Sequence, residues 1–100
     1  MTDRCIFSCF VDPETVDNVL DCLLCLEYVS GFSTQKIEGY SKEHASYSVS
    51  EQVAGYRSVC RIDIQLLVSE VDDLTVALAE LALQHKIRYW VTPALAVGTI

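Results

Sequence analysis

Val59-Cys60-Arg61-Ile62-Asp63-Ile64-Gln65-Leu66 alternates apolar and polar residues without a break. Successive side chains of a strand point to opposite faces. Cys60, Ile62, Ile64 and Leu66 therefore share one face, and Arg61, Asp63 and Gln65 the other, which predicts a strand with a core side and a polar side. Downstream, residues 69–86 read as a helix, because Leu74, Ala77, Leu78, Leu81 and Leu83 make an apolar stripe. Ser69 with Asp72 resembles a capping box, with Asp in place of the usual Glu. Asp72 and Asp73 suit the positive start of the helix dipole, and His85 and Lys86 suit its negative end. Residues 87–91 follow as another strand, stopped by Pro93, and the apolar tail 94–100 is suited to adding a short edge strand to a neighbouring subunit.

The same order of elements stands upstream. Arg4-Cys5-Ile6-Phe7-Ser8-Cys9-Phe10-Val11 is β-prone and mostly apolar, as a central strand is. Asp12-Pro13 supplies an N-cap and a first-turn proline for a helix carrying Val16, Val19, Leu20, Leu23 and Leu26, with Asp17, Asn18 and Asp21 outward. Ser30-Gly31 ends that helix, with Gly31 near the left-handed cap position. Residues 32–40 are extended, with polar Thr34, Lys36 and Glu38 on one face and Gly39 marking a bulge or a close backbone approach.

Two strand–helix–strand units, 4–41 and 56–97, are thus joined by the polar stretch 42–55. That order predicts an α+β, ferredoxin-like βαβ-βαβ sandwich: a four-stranded antiparallel sheet with two helices on one face. The sheet's other face is too mixed for water and too polar for a dry core, so a subunit interface fits it best. A loop as long as 42–55 within so small a body is usually functional.

One hundred residues make one domain spanning 1–100. With 51% hydrophobic residues, some apolar surface stays uncovered on a lone copy, which predicts an oligomer. Seven basic residues against fourteen acidic ones give a net charge of −7, which argues against nucleic acid and against anionic membrane surfaces. No apolar run approaches the roughly 20 residues of a membrane span. Met1-Thr2-Asp3-Arg4 leads into an apolar stretch too short for a secretory signal. Five cysteines, an odd number without framework spacing, are most simply reduced thiols of a cytoplasmic protein.

Residues that could carry chemistry are few. Cys22-Leu23-Leu24-Cys25 has the CxxC spacing, but a redox motif needs its first thiol at a helix N-terminus. These two fall inside a helix among leucines and read as inert, partly buried thiols; Cys5, Cys9 and Cys60 on strands read as core filling. His44, with Glu43 and Glu51, offers a mixed nitrogen and oxygen site for a transition metal, against the alternative of a solvated loop histidine. Tyr40, Tyr47 and Tyr56, interleaved with Ser41, Ser46, Ser48 and Ser50, fit a modifiable signalling loop or simply a flexible polar one. Trp90 reads as packing. No phosphate-cradling glycine loop, nucleophile triad or paired-carboxylate site stands out, so nothing calls for an enzyme.

Several segments resemble PII-like proteins. Gly31-Phe32 with Ile37-Glu38-Gly39-Tyr40-Ser41 is similar to the second PII strand as it enters the long signalling loop, the T-loop. Arg61-Ile62-Asp63-Ile64-Gln65-Leu66 followed by Asp72-Asp73 resembles the third strand and the start of the second helix, and Lys86-Ile87 with Tyr89-Trp90-Val91-Thr92-Pro93 resembles the fourth strand. Glu51-Gln52-Val53-Ala54-Gly55-Tyr56-Arg57 and Tyr89-Trp90-Val91-Thr92-Pro93 are closer still to an uncharacterised PII-like family, a domain of unknown function often encoded beside heavy-metal efflux systems. The resemblance implies a homotrimer with sheets facing a central axis and ligand sites in clefts between subunits at the base of the loop. It implies a non-enzymatic regulator or sensor whose loop docks on a protein target, or alternatively a transition-metal-binding accessory of efflux. Ser41, Lys42, Glu51, Gln52, Arg57 and Arg88 are the candidate cleft and loop-base residues. PII proteins hold nucleotide phosphates with a Gly-Asp-Gly-Lys turn before the last strand; here the position reads Gln84-His85-Lys86-Ile87, and 95–100 lacks a basic tail. Those departures count against ATP and leave Lys42, Arg57 and Arg88 as the remaining phosphate-binding candidates.

Overall fold

The computed structural model describes residues 3–40, 56–81, 83 and 86–100. Along the chain stand β1 (Arg4–Val11), α1 (Val16–Cys25), β2 (Phe32–Gly39), β3 (Arg57–Leu67), a 3-10 turn (Val68–Glu70), α2 (Val71–Ala79) and β4 (Arg88–Pro93). The strands form one sheet in the order β2-β3-β1-β4, and every neighbouring pair is antiparallel. This is the expected ferredoxin-like sandwich.

Register decides which side chains meet. Cys5 lies opposite Leu66, Phe7 opposite Ile64 and Cys9 opposite Ile62, and all six are buried. Val19 and Leu23 of α1 and Leu74 and Leu78 of α2 complete the same core from the helix side. The alternation in β3 thus faces the helices with its apolar set. Burial of such side chains contributes about 1.5–3 kcal/mol each, which makes this layer the principal stabilising one.

Local sequence signals placed the helix ends less well than tertiary packing does. α1 begins at Val16, because Asp12 is spent in a turn: its carbonyl accepts the Thr15 N–H at 3.0 Å and the Thr15 hydroxyl at 3.2 Å. Asp12 therefore does not cap the helix. α1 ends at Cys25, not at Ser30-Gly31, with Leu26 already extended at φ −88° and ψ 120°. Leaving the helix there lets Leu26, Tyr28 and Val29 fold back against the core. Gly31 lies outside the left-handed region, and a side chain there would meet open space.

The second helix differs likewise. Ser69 and Asp72 form no capping box: α2 starts without a side-chain cap bond, and the Glu70 carboxylate accepts the Leu67 N–H at 2.8 Å to close the 3-10 turn that leads into it. α2 stops at Ala79, and Leu81 and Leu83 beyond it still pack on the core. Lys86 consequently stands in the approach to β4 rather than in a last helical turn. Residues 82, 84 and 85, and with them His85, lie outside the described residues. Gly39 carries no bulge, since the β2–β3 register runs unbroken from Phe32 opposite Ile64 to Gly39 opposite Arg57.

Pro93 ends β4 while still paired opposite Cys5. It is tolerated because β4 is an edge strand. The Ala94 N–H then donates to the Arg4 carbonyl at 3.0 Å, extending that edge by one bond. Among the described residues no helix is long and apolar enough to cross a membrane.

Candidate functional site at the loop base and the outer sheet face

Antiparallel order brings the end of β1, the end of β2, the start of β3 and the start of β4 to one end of the sheet. Tyr40 and Tyr56, the described residues on either side of 41–55, stand at this end. Their rings sit 5.9 Å apart at 44°. The Tyr40 hydroxyl donates to Glu38 at 3.1 Å. Arg57, the first residue of β3, bonds through its guanidinium to the Asp12 carboxylate. That pair ties the start of β3 to the turn after β1.

The face of the sheet turned away from the helices is built in rows. One row runs Gln35, Arg61, Phe10, Arg88 across the four strands; the next runs Ser33, Asp63, Ser8, Trp90. Asp63 Oδ1 accepts the Ser8 hydroxyl at 2.6 Å and Arg61 Nε at 3.1 Å. Ser8 is buried, and this bond satisfies it. Arg61 also lies over the Phe10 ring, 5.9 Å from its centroid, and Phe10 meets Trp90 at 4.6 Å and 54°. Trp90 does pack, as the sequence suggests, but on this outer face, and it remains 46% exposed.

Charge is sorted between the layers. All four arginines of the chain, Arg4, Arg57, Arg61 and Arg88, fall on outer-face positions by strand alternation. The strands place one carboxylate among them, Asp63, and Asp12 joins at the end of β1. Among the described residues of a chain of net charge −7, the strands thus place four arginines and one carboxylate on this face.

The other side of the molecule offers an apolar cleft of about 380 Å³ between α2 and β4, lined by Phe7, Leu78, Leu83, Ile87 and Tyr89 with Lys86 among them. Tyr89 stacks on Phe7 at 4.8 Å and 9°.

All five cysteines are free thiols. Burial, then the neighbouring Cys60 and Asp63, pushes the Cys9 thiol up to about 12. Burial first and Glu70 second raise Cys5; burial first, then Cys25 and Glu80, raise Cys22. An activated thiol has the opposite shift and sits at a helix N-terminus, whereas Cys22 lies in the later half of α1. Cys25 differs from its expected half-buried state: it is the last residue of α1 and is exposed.

Of the expected site residues, Arg57 and Arg88 stand at the loop-base end of the outer face. Ser41, Lys42, Glu51 and Gln52, and the metal candidates His44 and Glu43, lie outside the described residues. Among the described residues no group of three or more His, Cys, Asp or Glu could hold a metal ion. Sequence reasoning missed Asp12 as the partner of Arg57 and Ser8 as the partner of Asp63. A polar residue inside the apolar run of β1 was the available signal for Ser8; nothing local signals a pair 45 residues apart.

The family model of DUF3240, described as proteins of unknown function, matches residues 1–100. The chain belongs to the DUF3240 family. It is similar to the crystal structure of a DUF3240 family protein from Shewanella baltica, with 29% identity over 100% of this chain and 99% of that one and a TM-score of 0.83. It is also similar to Arabidopsis thaliana PII bound to citrate, with 14% identity over 93% of this chain and 78% of that one and a TM-score of 0.68. At that identity the plant protein shows the PII-like fold alone. No curated protein matches the chain. In all, 102 solved chains match, so the architecture by itself does not choose an activity.

Proposed function

We propose that this DUF3240 protein is a non-enzymatic, cytoplasmic regulator of the PII-like kind, working as a homotrimer with its sheets turned inward. The observation that carries this reading is the uncovered sheet. On edge strand β4, Trp90 is 46% exposed on the outer face, and Tyr89 and Val91 on its helix side are 50% and 38% exposed, so the edge itself is open. Ile6 and Phe10 on the outer face are only half-buried. Open strand edges and contiguous apolar surface of this kind are what soluble proteins cover with another chain. Copies of the same chain are the simplest cover.

In such an assembly the stretch 42–55 begins and ends beside the seams. Ser41, Lys42, Glu51, Gln52, Arg57 and Arg88 are the residues of the intersubunit cleft. A ligand there orders or releases the loop and so changes which protein target it docks on. The Tyr40–Tyr56 contact and the Arg57–Asp12 pair support this reading, because they hold the loop's two ends at a fixed place.

Native mass spectrometry tests the assembly directly. Three copies per particle are expected at micromolar concentration; a persistent single-copy species would overturn the reading. Hydrogen exchange over 42–55 with and without a small-metabolite extract tests the regulation, and unchanged protection would count against it.

A further inference from the structure

Resting on the trimeric reading above, we propose that the outer sheet face binds a multivalent oxyanion between subunits, gripped by Arg61 and Arg88 on either side of Phe10. The first support is the sorting of charge. Every arginine lies on this face, while twelve of the fourteen acidic residues lie elsewhere or beyond the described strands. Copies that turn these faces toward one another bring like charges together. Such an interface is costly unless an anion sits within it.

The second support is geometry. Arg61 and Arg88 flank Phe10 on adjacent strands of one row. Strand spacing puts their backbones about 10 Å apart, within the reach of two arginine side chains converging on one anion. Arg61 is held in place: its Nε donates to Asp63, itself fixed by Ser8, and its guanidinium lies over Phe10. Arg88 is exposed and forms no ion pair with another described residue.

The third support is the surrounding surface. Phe10, between the two arginines of its row, and Trp90, two residues along β4 from Arg88, pack on each other as an aromatic floor of this face. An apolar floor excludes water and strengthens charge-assisted bonds made above it. Planar guanidinium forks favour phosphate and carboxylate oxygens, and two of them favour an anion with more than one such group. The chemistry is therefore that of a diphosphate or a polycarboxylate.

Titration calorimetry with inorganic pyrophosphate and, separately, citrate tests this on the intact protein, with native mass spectrometry of the same samples. Saturable binding is expected, with pyrophosphate preference assigning a phosphate ligand and citrate preference a carboxylate one. Arg88→Gln, an exposed change, should weaken binding by about tenfold or more. Arg61→Lys, which keeps charge but loses the fork, should also weaken it, whereas Arg4→Gln at the far end of the face should leave it within about twofold. Equal binding by the parent and Arg88→Gln would overturn the proposal. An oligomer indifferent to both anions sinks this inference alone; a monomer in every buffer sinks the assembly and the inference with it.

Discussion

The two faces of this sheet are made from the same strands, yet they obey different rules. On the helix side, Phe7, Ile62 and Ile64 are wholly buried and belong to one apolar core. On the outer side, one residue along, Ser8, Arg61 and Asp63 make a bonded network and leave guanidinium groups toward the surface. The first face specifies the fold by area and shape. The second adds little to folding of one copy, because exposed and half-exposed ion pairs contribute at most about 1 kcal/mol each.

Truncation at one position of each face should separate them most sharply. Phe7→Ala removes a fully buried ring that also stacks on Tyr89, and should cost about 3–5 kcal/mol in urea unfolding. Gln65→Ala, on the opposite face of β3, should stay within about 0.5 kcal/mol. Comparable losses at the two positions would mean the outer face is part of the monomer's core, and the division drawn above would fail.

How far the sequence could be read follows the same division. Strict alternation in β3 and the apolar run of β1 were legible because burial on one face imposes a period of two. The bounds of β1 came out as Arg4–Val11 from composition alone. Helix ends were not legible, because Leu26, Tyr28 and Val29 at one end and Leu81 and Leu83 at the other satisfy the core from outside any helix. An apolar stripe reports burial, not helicity. The outer face was legible only in part: Arg61, Asp63 and Gln65 could be assigned to one face, but not Asp12 to Arg57 or Ser8 to Asp63. Those partners are 45 and 55 residues apart, and only register brings them together.

The Arg57–Asp12 pair sharpens the comparison further, because among the described residues it is better shielded than the Arg61–Asp63 pair, with side chains 26% and 12% exposed. Asp12→Ala should cost about 2 kcal/mol, between the values for the two faces, since it removes a charge-assisted bond from a partly buried guanidinium. A cycle with Arg57→Ala should return a coupling of about 1 kcal/mol or more. If the two single variants simply add, the start of β3 is held by its ladder alone, and the fixed placement of the loop's end loses its support.

The smallest expected effect lies on the helix face and is read with pH. The Cys9 thiol, pushed up to about 12 chiefly by burial, keeps its proton in the folded chain long after an unfolded thiol, near pH 8.5, has lost it. Its contribution to stability is complete below the unfolded value and drains away as pH rises toward the folded one. Between pH 8 and 9.5 this one group should lower the unfolding free energy by about 1 kcal/mol. Cys5, raised in the same direction by burial and then by Glu70, adds to the slope. Urea midpoints of the parent and Cys9→Ala across that interval measure the effect through the difference in slope rather than in absolute stability, so the cavity left by the substitution does not confound it. Cys25, exposed at the end of α1, should meanwhile react with a thiol reagent in the native state before Cys9 does. A Cys9→Ala slope equal to the parent's would show that water reaches the layer between sheet and helices, and the dry face would then be no drier than the charged one.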